Sequence, residues 1–132
     1  MYDASFDWNK ANWRVASITA PKRAPKLLAQ YGEPVRAHET MAPAQPSIAP
    51  SGEVIYDFGQ NFAGVITVKI KNAHKGQKIT FRHAEVLMNG ELFVKSLRTA
   101  KAAAVYICRD GEQEYSPRFT YMGFRYVGMT GI

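Results

Sequence analysis

The sequence is poor in the residues that build disulfides and metal sites. It has one cysteine, Cys108, and three histidines, His38, His74 and His83, in 132 residues. One thiol excludes an intrachain disulfide and a zinc site of the cysteine type, and the histidines lack the short spacings that place two ligands on one element. We therefore expect no metal and no cofactor. Cys108 ends the apolar run 105–108 and is expected to be a small buried hydrophobe.

Long apolar runs are also missing. No stretch approaches the roughly 20 consecutive apolar residues that a transmembrane helix needs. Residues 1–3, Met-Tyr-Asp, do not begin a signal peptide, although a cut N-terminus would hide one. The sequence therefore predicts no membrane partner, and it leaves the cellular compartment open.

Acidic residues are fewer than basic ones. Seventeen Lys and Arg against eleven Asp and Glu give a net charge of +6. Such a balance raises the question of an anionic partner. The basic residues are spread out, however, and the lysines between 69 and 78 fit solvated strand edges that oppose aggregation. We expect no nucleic-acid partner, and a basic nucleic-acid binder is the third and weakest interpretation.

The pattern of the chain changes near residue 50. Residues 21–50 hold all but one of the seven prolines, which favours an extended connector with room for one edge strand at 34–40. Ile66, Val68 and Ile70 then alternate with polar residues, as in a strand with one buried face. No amphipathic helix is evident beyond a weak candidate at 98–104. Short alternating strands predict an all-β fold, an antiparallel β-sandwich or jelly roll with an irregular N-terminal extension.

Two dipeptides predict tight turns. Asn89-Gly90 separates 87–88 from 92–94, and Asp110-Gly111 separates 106–107 from 115. Both dipeptides tolerate the positive φ of type I′ turns, so each is expected to close a β-hairpin.

Three phrases carry a resemblance to a known family. Residues 57–64 read Asp-Phe-Gly-Gln-Asn-Phe-Ala-Gly, residues 82–87 read Arg-His-Ala-Glu-Val-Leu, and residues 117–127 read Pro-Arg-Phe-Thr-Tyr-Met-Gly-Phe-Arg-Tyr-Val. In this order they resemble the concanavalin-like β-sandwich domain that precedes the catalytic barrel of bacterial α-L-rhamnosidases, which are inverting glycoside hydrolases. The resemblance implies a sandwich over 34–132. It also implies that residues 1–33 are the remnant of a preceding module with a proline-rich connector.

The resemblance also carries an expectation about activity. Enzymes of this kind keep their general acid and base in an α/α barrel that follows the sandwich, and this chain ends at Ile132. We therefore expect a bacterial domain fragment that is inactive alone, whose parent hydrolyses terminal α-L-rhamnosides. Its expected partner is the missing catalytic barrel. An apolar surface that the barrel would cover is also expected to favour self-association of the isolated chain.

No residue is predicted to be catalytic. Asp57 and Glu85 are the acidic residues inside the family-like phrases, and arginines at 82, 118 and 125 are candidate partners. A paired carboxylate is more often structural than catalytic. We expect five residues to form a structural motif, with buried hydrogen bonds and charge pairing among its charged members: Asp57, Gly59, Asn61, Glu85 and Arg125.

A carbohydrate-binding β-sandwich module is the alternative function. Sugar sites combine aromatic rings with a few fixed polar groups, and Asn61, Tyr121 and Phe124 are the candidate contacts. Against this, alternating aromatic residues also fill sandwich cores. Tyr115, Phe119 and Tyr121 would lie on one strand, with Phe124 and Tyr126 on the next. Binding of carbohydrate therefore stays open at this point.

Overall fold

The computed structural model describes residues 1–132, and nearly all of its regular structure is β-strand, which confirms the all-β class. In chain order the strands are β1 (Tyr2–Asp3), β2 (Ser47–Ile48), β3 (Val54–Gly64), β4 (Val68–Ala73), β5 (Lys78–Ala84), β6 (Leu87–Met88), β7 (Glu91–Leu92), β8 (Ala103–Ile107), β9 (Gly111–Tyr115) and β10 (Met122–Thr130). Six of them form one sheet in the order β1-β8-β5-β10-β3-β2. Its pairs are antiparallel except that β1 and β8 are parallel.

The second layer is the two-stranded sheet β4-β9, which packs on one face of the larger sheet. We call that face the inner face. Tyr115 of β9 places its ring centroid 4.6 Å from that of Tyr106 and 5.8 Å from that of Phe81. Period-2 alternation along β5 sends Ile79 and Phe81 into this core, where neither is exposed to solvent. The expected antiparallel sandwich is therefore present.

The opposite, outer face of the larger sheet carries a smaller apolar cluster. Ala49, Ile55, Ala84 and Leu92 are buried there beneath the β6-β7 hairpin and the turn before β3. The hairpin turns at Asn89 and Gly90, with φ values of 53° and 77°. Positive φ at both central positions is the type I′ geometry, so the hairpin predicted from this Asn-Gly pair is confirmed.

The second predicted hairpin is wrong. Strand β8 belongs to the six-stranded sheet and β9 pairs with β4, so residues 108–110 cross between the layers. Only Gly111 has a positive φ, 84°, whereas a type I′ turn would also require it at Asp110. The Gln113 side chain fixes the crossing: its Oε1 accepts hydrogen bonds from the Tyr106 hydroxyl and the Arg109 amide, both at 3.0 Å. Its Nε2 donates to the carbonyls of Arg109 and Gly111 at 2.9 and 3.1 Å.

Three further expectations about elements are wrong. Residues 34–40 contain no strand, and residues 98–104 contain no helix, since a single 3₁₀ turn ends at Leu97 and β8 begins at Ala103. The predicted aromatic strand from Tyr115 to Tyr121 ends at Tyr115, because Pro117 cannot donate to a ladder. Phe119 is consequently exposed on a loop.

The chain divides into two compact units, one of Met1–Phe6 with Thr40–Ile132 and the other of Asp7–Glu39. In the second unit, the Asp7 carboxylate caps a 3₁₀ turn at Trp8–Lys10 by accepting the amide of Asn9 at 3.1 Å. The Trp13 indole N–H donates to the Trp8 carbonyl at 3.2 Å. The rest of this unit has no regular structure. No helix of the structure has the length and apolar character to span a bilayer.

Candidate functional site

Strand β3 contains a large bulge at the first family-like phrase. Phe124 of β10 pairs with Phe62, and Tyr126 pairs with Asp57, so two steps along β10 correspond to five along β3. The extra residues are accommodated at Gly59, whose φ of 81° is strained for any residue with a Cβ. The Asp57 carboxylate accepts the Gly59 amide at 2.7 Å and closes the bend. Bulges redirect side chains and are frequent beside functional sites. We call residues 57–62 the β3 bulge.

Aromatic rings anchor the β3 bulge to the inner core. The rings of Phe58 and Phe62 lie 5.6 and 4.6 Å from that of Phe124. Phe124 itself is completely buried. The prediction that Phe124 contacts a carbohydrate is therefore wrong, because alternation turns this ring into the sandwich and leaves no ring surface for a ligand.

Asp57 and Arg125 pair across β3 and β10. Arg125 donates from Nε and Nη2 to the two Asp57 oxygens at 2.8 and 2.9 Å. The hydrogen bonds from Arg125 hold the pKa of Asp57 below its usual value. The expected charge pair is present, but it is not buried: the side chains are 39% and 34% exposed, because the bulge carries Asp57 to the surface.

Glu85 has a different partner from the arginine that was expected. It follows β5 at the surface, and its Oε1 accepts a hydrogen bond from Asn61 Nδ2 at 3.2 Å. This bond passes from β3 to the end of β5 near Gly123 of β10. Glu85 Oε1 lies 3.7 Å from the position that a Cβ of Gly123 would occupy. The five expected motif residues thus gather around one bulge.

A second polar bridge crosses β10 and was not predicted from the sequence. Glu53 is 2% exposed and its Oε1 accepts from Arg82 Nε at 2.9 Å. This hydrogen bond raises the pKa of Arg82. The bridge lies over Gly128, where a Cβ would come within 2.5 and 2.7 Å of the Glu53 carboxylate oxygens. A glycine inside a strand marks close approach of another group, and Gly128 was the available signal.

His83 is a core residue on β5. It is buried on the inner face, with its ring centroid 4.9 Å from that of Phe124. Its Nδ1 lies 3.0 Å from the Ala102 carbonyl, which can only accept, so Nδ1 carries the proton. Burial lowers the pKa of this histidine and favours the neutral ring. No three His, Cys, Asp or Glu side chains in the chain are grouped to hold a metal ion.

We expect Asp57→Asn to lower the melting temperature by only a few degrees at neutral pH. The pair is more than a third exposed on the arginine side, so solvent screens it. Because the pKa of Asp57 is lowered from 3.8 in the fold, its contribution is complete above pH 3.8 and is lost as the pH falls through the folded pKa. Melting curves of both proteins from neutral to strongly acidic pH should therefore converge. A difference that persists in acid would contradict this account.

Comparison with known proteins places these features in a family context. Residues 47–132 match the family model of the bacterial alpha-L-rhamnosidase concanavalin-like domain. An alpha-L-rhamnosidase of Alteromonas sp. (strain LOR) is 31% identical over 127 residues, which are 96% of this chain and 14% of the relative. One from Streptomyces avermitilis is 35% identical over 109 residues, covering 81% of this chain and 10% of the relative.

Solved structures show the same likeness. The structure of an alpha-L-rhamnosidase from Dictyoglumus thermophilum superposes with a TM-score of 0.67 at 43% identity, over 70% of this chain and 11% of that one. The corresponding enzyme of Aspergillus terreus gives a TM-score of 0.63 at 43% identity, over 67% and 10% of the two chains. The chain therefore spans about a tenth to a seventh of the length of these relatives.

Proposed function

The chain belongs to the concanavalin-like domain family of bacterial α-L-rhamnosidases, and from this premise we propose that it serves as a non-catalytic, architectural domain of such an enzyme. The relatives are about seven to eight times as long as this chain, since 127 matched residues are 14% of one and 109 matched residues are 10% of the other. The proposed partner is a catalytic barrel that hydrolyses terminal α-L-rhamnosides. We assign the architectural role to residues 34–132, and to residues 1–33 a connection with a preceding module.

The proposal that this domain is non-catalytic is based on the contacts that its carboxylates make. Glycoside hydrolysis needs one carboxyl that donates a proton and a second that acts as base or nucleophile. Asp57 is held ionised by Arg125, and the buried Glu53 accepts a hydrogen bond from Arg82, whose side chain is 40% exposed. Glu85 is exposed and accepts from the amide of Asn61. Each of these three carboxylates is thus engaged by a basic or amide side chain, and none of the contacts joins one carboxyl to another.

The hydrogen bonds of the motif side chains support the architectural role of the domain. Asp57, Gly59 and Arg125 fix the backbone and the ends of the bulge, while Asn61 and Glu85 tie it to the end of β5, on the far side of β10. In our proposal this rigid outer surface faces the rest of the enzyme. Self-association of the isolated chain through apolar loops stays a prediction of the same proposal.

We expect the purified chain to hydrolyse no aryl α-L-rhamnoside above the buffer rate. The intact enzyme from Streptomyces avermitilis serves as the positive control. Deleting from that enzyme the segment that matches residues 47–132 should abolish its activity, and replacing that segment with residues 47–132 of this chain should restore most of it.

Two outcomes would contradict the proposal. Turnover by the chain alone that disappears in Asp57→Asn or Glu85→Gln would show that it is catalytic. Full activity and unchanged thermal stability of the deletion enzyme would show that the domain has no architectural role.

A further inference from the structure

Three side chains around the β3 bulge keep an unused polar group at the surface. Asn61 donates from Nδ2 and keeps Oδ1, and Glu85 accepts through Oε1 and keeps Oε2. Arg125 donates to Asp57 from Nε and Nη2 and keeps Nη1. Carboxylate, amide and guanidinium together offer both acceptors and donors to a ligand.

The start of β10 shapes the surface around these groups. Tyr121 precedes the strand directly and is 62% exposed, and Gly123 follows two residues later. Gly123 and Arg125 are alternate residues of β10, and alternate residues of a strand share a face about 6.5 to 7 Å apart. Gly123 is exposed and has no side chain, so the chain leaves a gap one residue wide in its side-chain cover between Tyr121 and Arg125, which we call the notch. The Asn61–Glu85 hydrogen bond passes over Gly123 and forms the floor of this notch.

The charges of the notch select a neutral ligand. Arg125 is already paired with Asp57, so the uncompensated charge is that of Glu85. That charge disfavours phosphates and carboxylates, and a single carboxylate is too little to hold a cation. A neutral molecule with several hydroxyl groups can donate to Glu85 Oε2 and Asn61 Oδ1 and accept from Arg125 Nη1. An adjacent aromatic ring suits the apolar C–H face of such a molecule.

We propose that the notch formed by Tyr121, Gly123, Asn61, Glu85 and Arg125 binds the pyranose ring of a saccharide. The choice among saccharides rests on the proposed function, which makes an α-L-rhamnoside the probe. In the complete enzyme the notch would hold a sugar of the substrate beside the catalytic domain. Its role is binding, and no proton transfer is assigned to Glu85.

The test is a titration of the ¹⁵N-labelled chain with methyl α-L-rhamnoside, followed by the amide signals of Gly123 and of the Asn61 side chain. We expect saturable shifts confined to the notch, with a Kd of about 1 to 10 mM, as suits a shallow open site. Asn61→Ala and Tyr121→Ala should each weaken binding about tenfold or more, since each removes one of the few contacts. Both side chains are exposed, and the dispersion of the core amide signals verifies that each variant is folded.

Matched controls come from the Asp7–Glu39 unit. Tyr31 is 93% exposed and Asn12 is exposed, so Tyr31→Ala and Asn12→Ala remove the same residue types elsewhere and should leave the Kd unchanged. Glycerol offers hydroxyls without a ring and should give no saturable shift.

The inference is overturned by an absence of saturable shifts up to about 100 mM rhamnoside, ten times the weakest expected Kd. An equal response to glycerol, or an unchanged Kd in both site variants, would overturn it as well. Absent binding together with an active chimeric enzyme would remove the sugar site and leave the architectural role. An inactive chimera with intact binding would remove the architectural role and leave the sugar site.

Discussion

Replacing Gly128 with alanine is expected to lower the free energy of unfolding by about 3 to 5 kcal/mol, the range for leaving a buried charge, here that of Glu53, without its partner. The new methyl would occupy space that the Glu53 carboxylate fills, with its oxygens only 2.5 and 2.7 Å away. The Glu53 carboxylate cannot move into solvent to avoid the methyl, since Glu53 is 2% exposed where it packs against Gly128. Urea unfolding at neutral pH, together with the melting temperature, measures the loss.

A double-mutant cycle separates this clash from an ordinary effect of glycine in a strand. In a Glu53→Ala background the methyl at 128 has room, so Gly128→Ala should cost less than about 1 kcal/mol there. Gly32→Ala is the matched control, because no atom lies within 4 Å of its added Cβ. Its effect should stay within about 0.5 kcal/mol. Equal losses with and without Glu53 would contradict the proposed contact.

Gln113→Leu is expected to have the second largest effect, a loss of about 3 kcal/mol. The side chain is 9% exposed and makes four hydrogen bonds at the crossing between the layers. Leucine has a similar size but no polar group, so the Tyr106 hydroxyl and the backbone of Arg109 and Gly111 would lose their partner. Chemical unfolding of the variant measures the loss.

Two further substitutions test this explanation. Gln113→Glu keeps the acceptor for Tyr106 and the Arg109 amide, and we expect it to be less destabilising than leucine at acidic pH, where the carboxyl can also donate. Gln30→Leu removes an exposed glutamine with one hydrogen bond, at 3.3 Å to the Glu33 carbonyl, and should be nearly neutral. A loss at position 113 no larger than at position 30 would contradict the role given to Gln113.

The sandwich could be predicted because its signals are local. Alternation in β4 and β5 depends on neighbouring residues of one strand, and the Asn89-Gly90 turn depends on the φ preferences of two residues. Such patterns state which face a side chain occupies as long as the strand is regular. They do not state which strands share a sheet. For that reason the same dipeptide logic failed at Asp110-Gly111, where the long-range pairing of β9 with β4 decides the outcome.

The candidate site was harder to predict because it is built on an irregularity. The bulge at Gly59 inserts residues into β3, so alternation cannot say where Asn61 points. The family-like sequence phrases identified Asp57 and Arg125, but the exposure of these side chains depends on how the bulge positions the backbone. The Glu53–Arg82 bridge joins residues 29 positions apart and depends on the packing of three strands. Its only sequence signal was a glycine inside a strand.

Because Cys108 is buried, the reactivity of its thiol reports on local opening of the fold. It is the only thiol of the chain, it has no exposed surface, and burial raises its pKa, which disfavours the reactive thiolate. Its backbone amide and carbonyl are both bonded, to Gln77 and Gly76, so a reagent reaches the sulfur only when this part of the sandwich opens. The rate of labelling by a thiol-reactive dye therefore counts opening events in native buffer. Stability differences between variants can be read in this way without a denaturant and without introducing a label site.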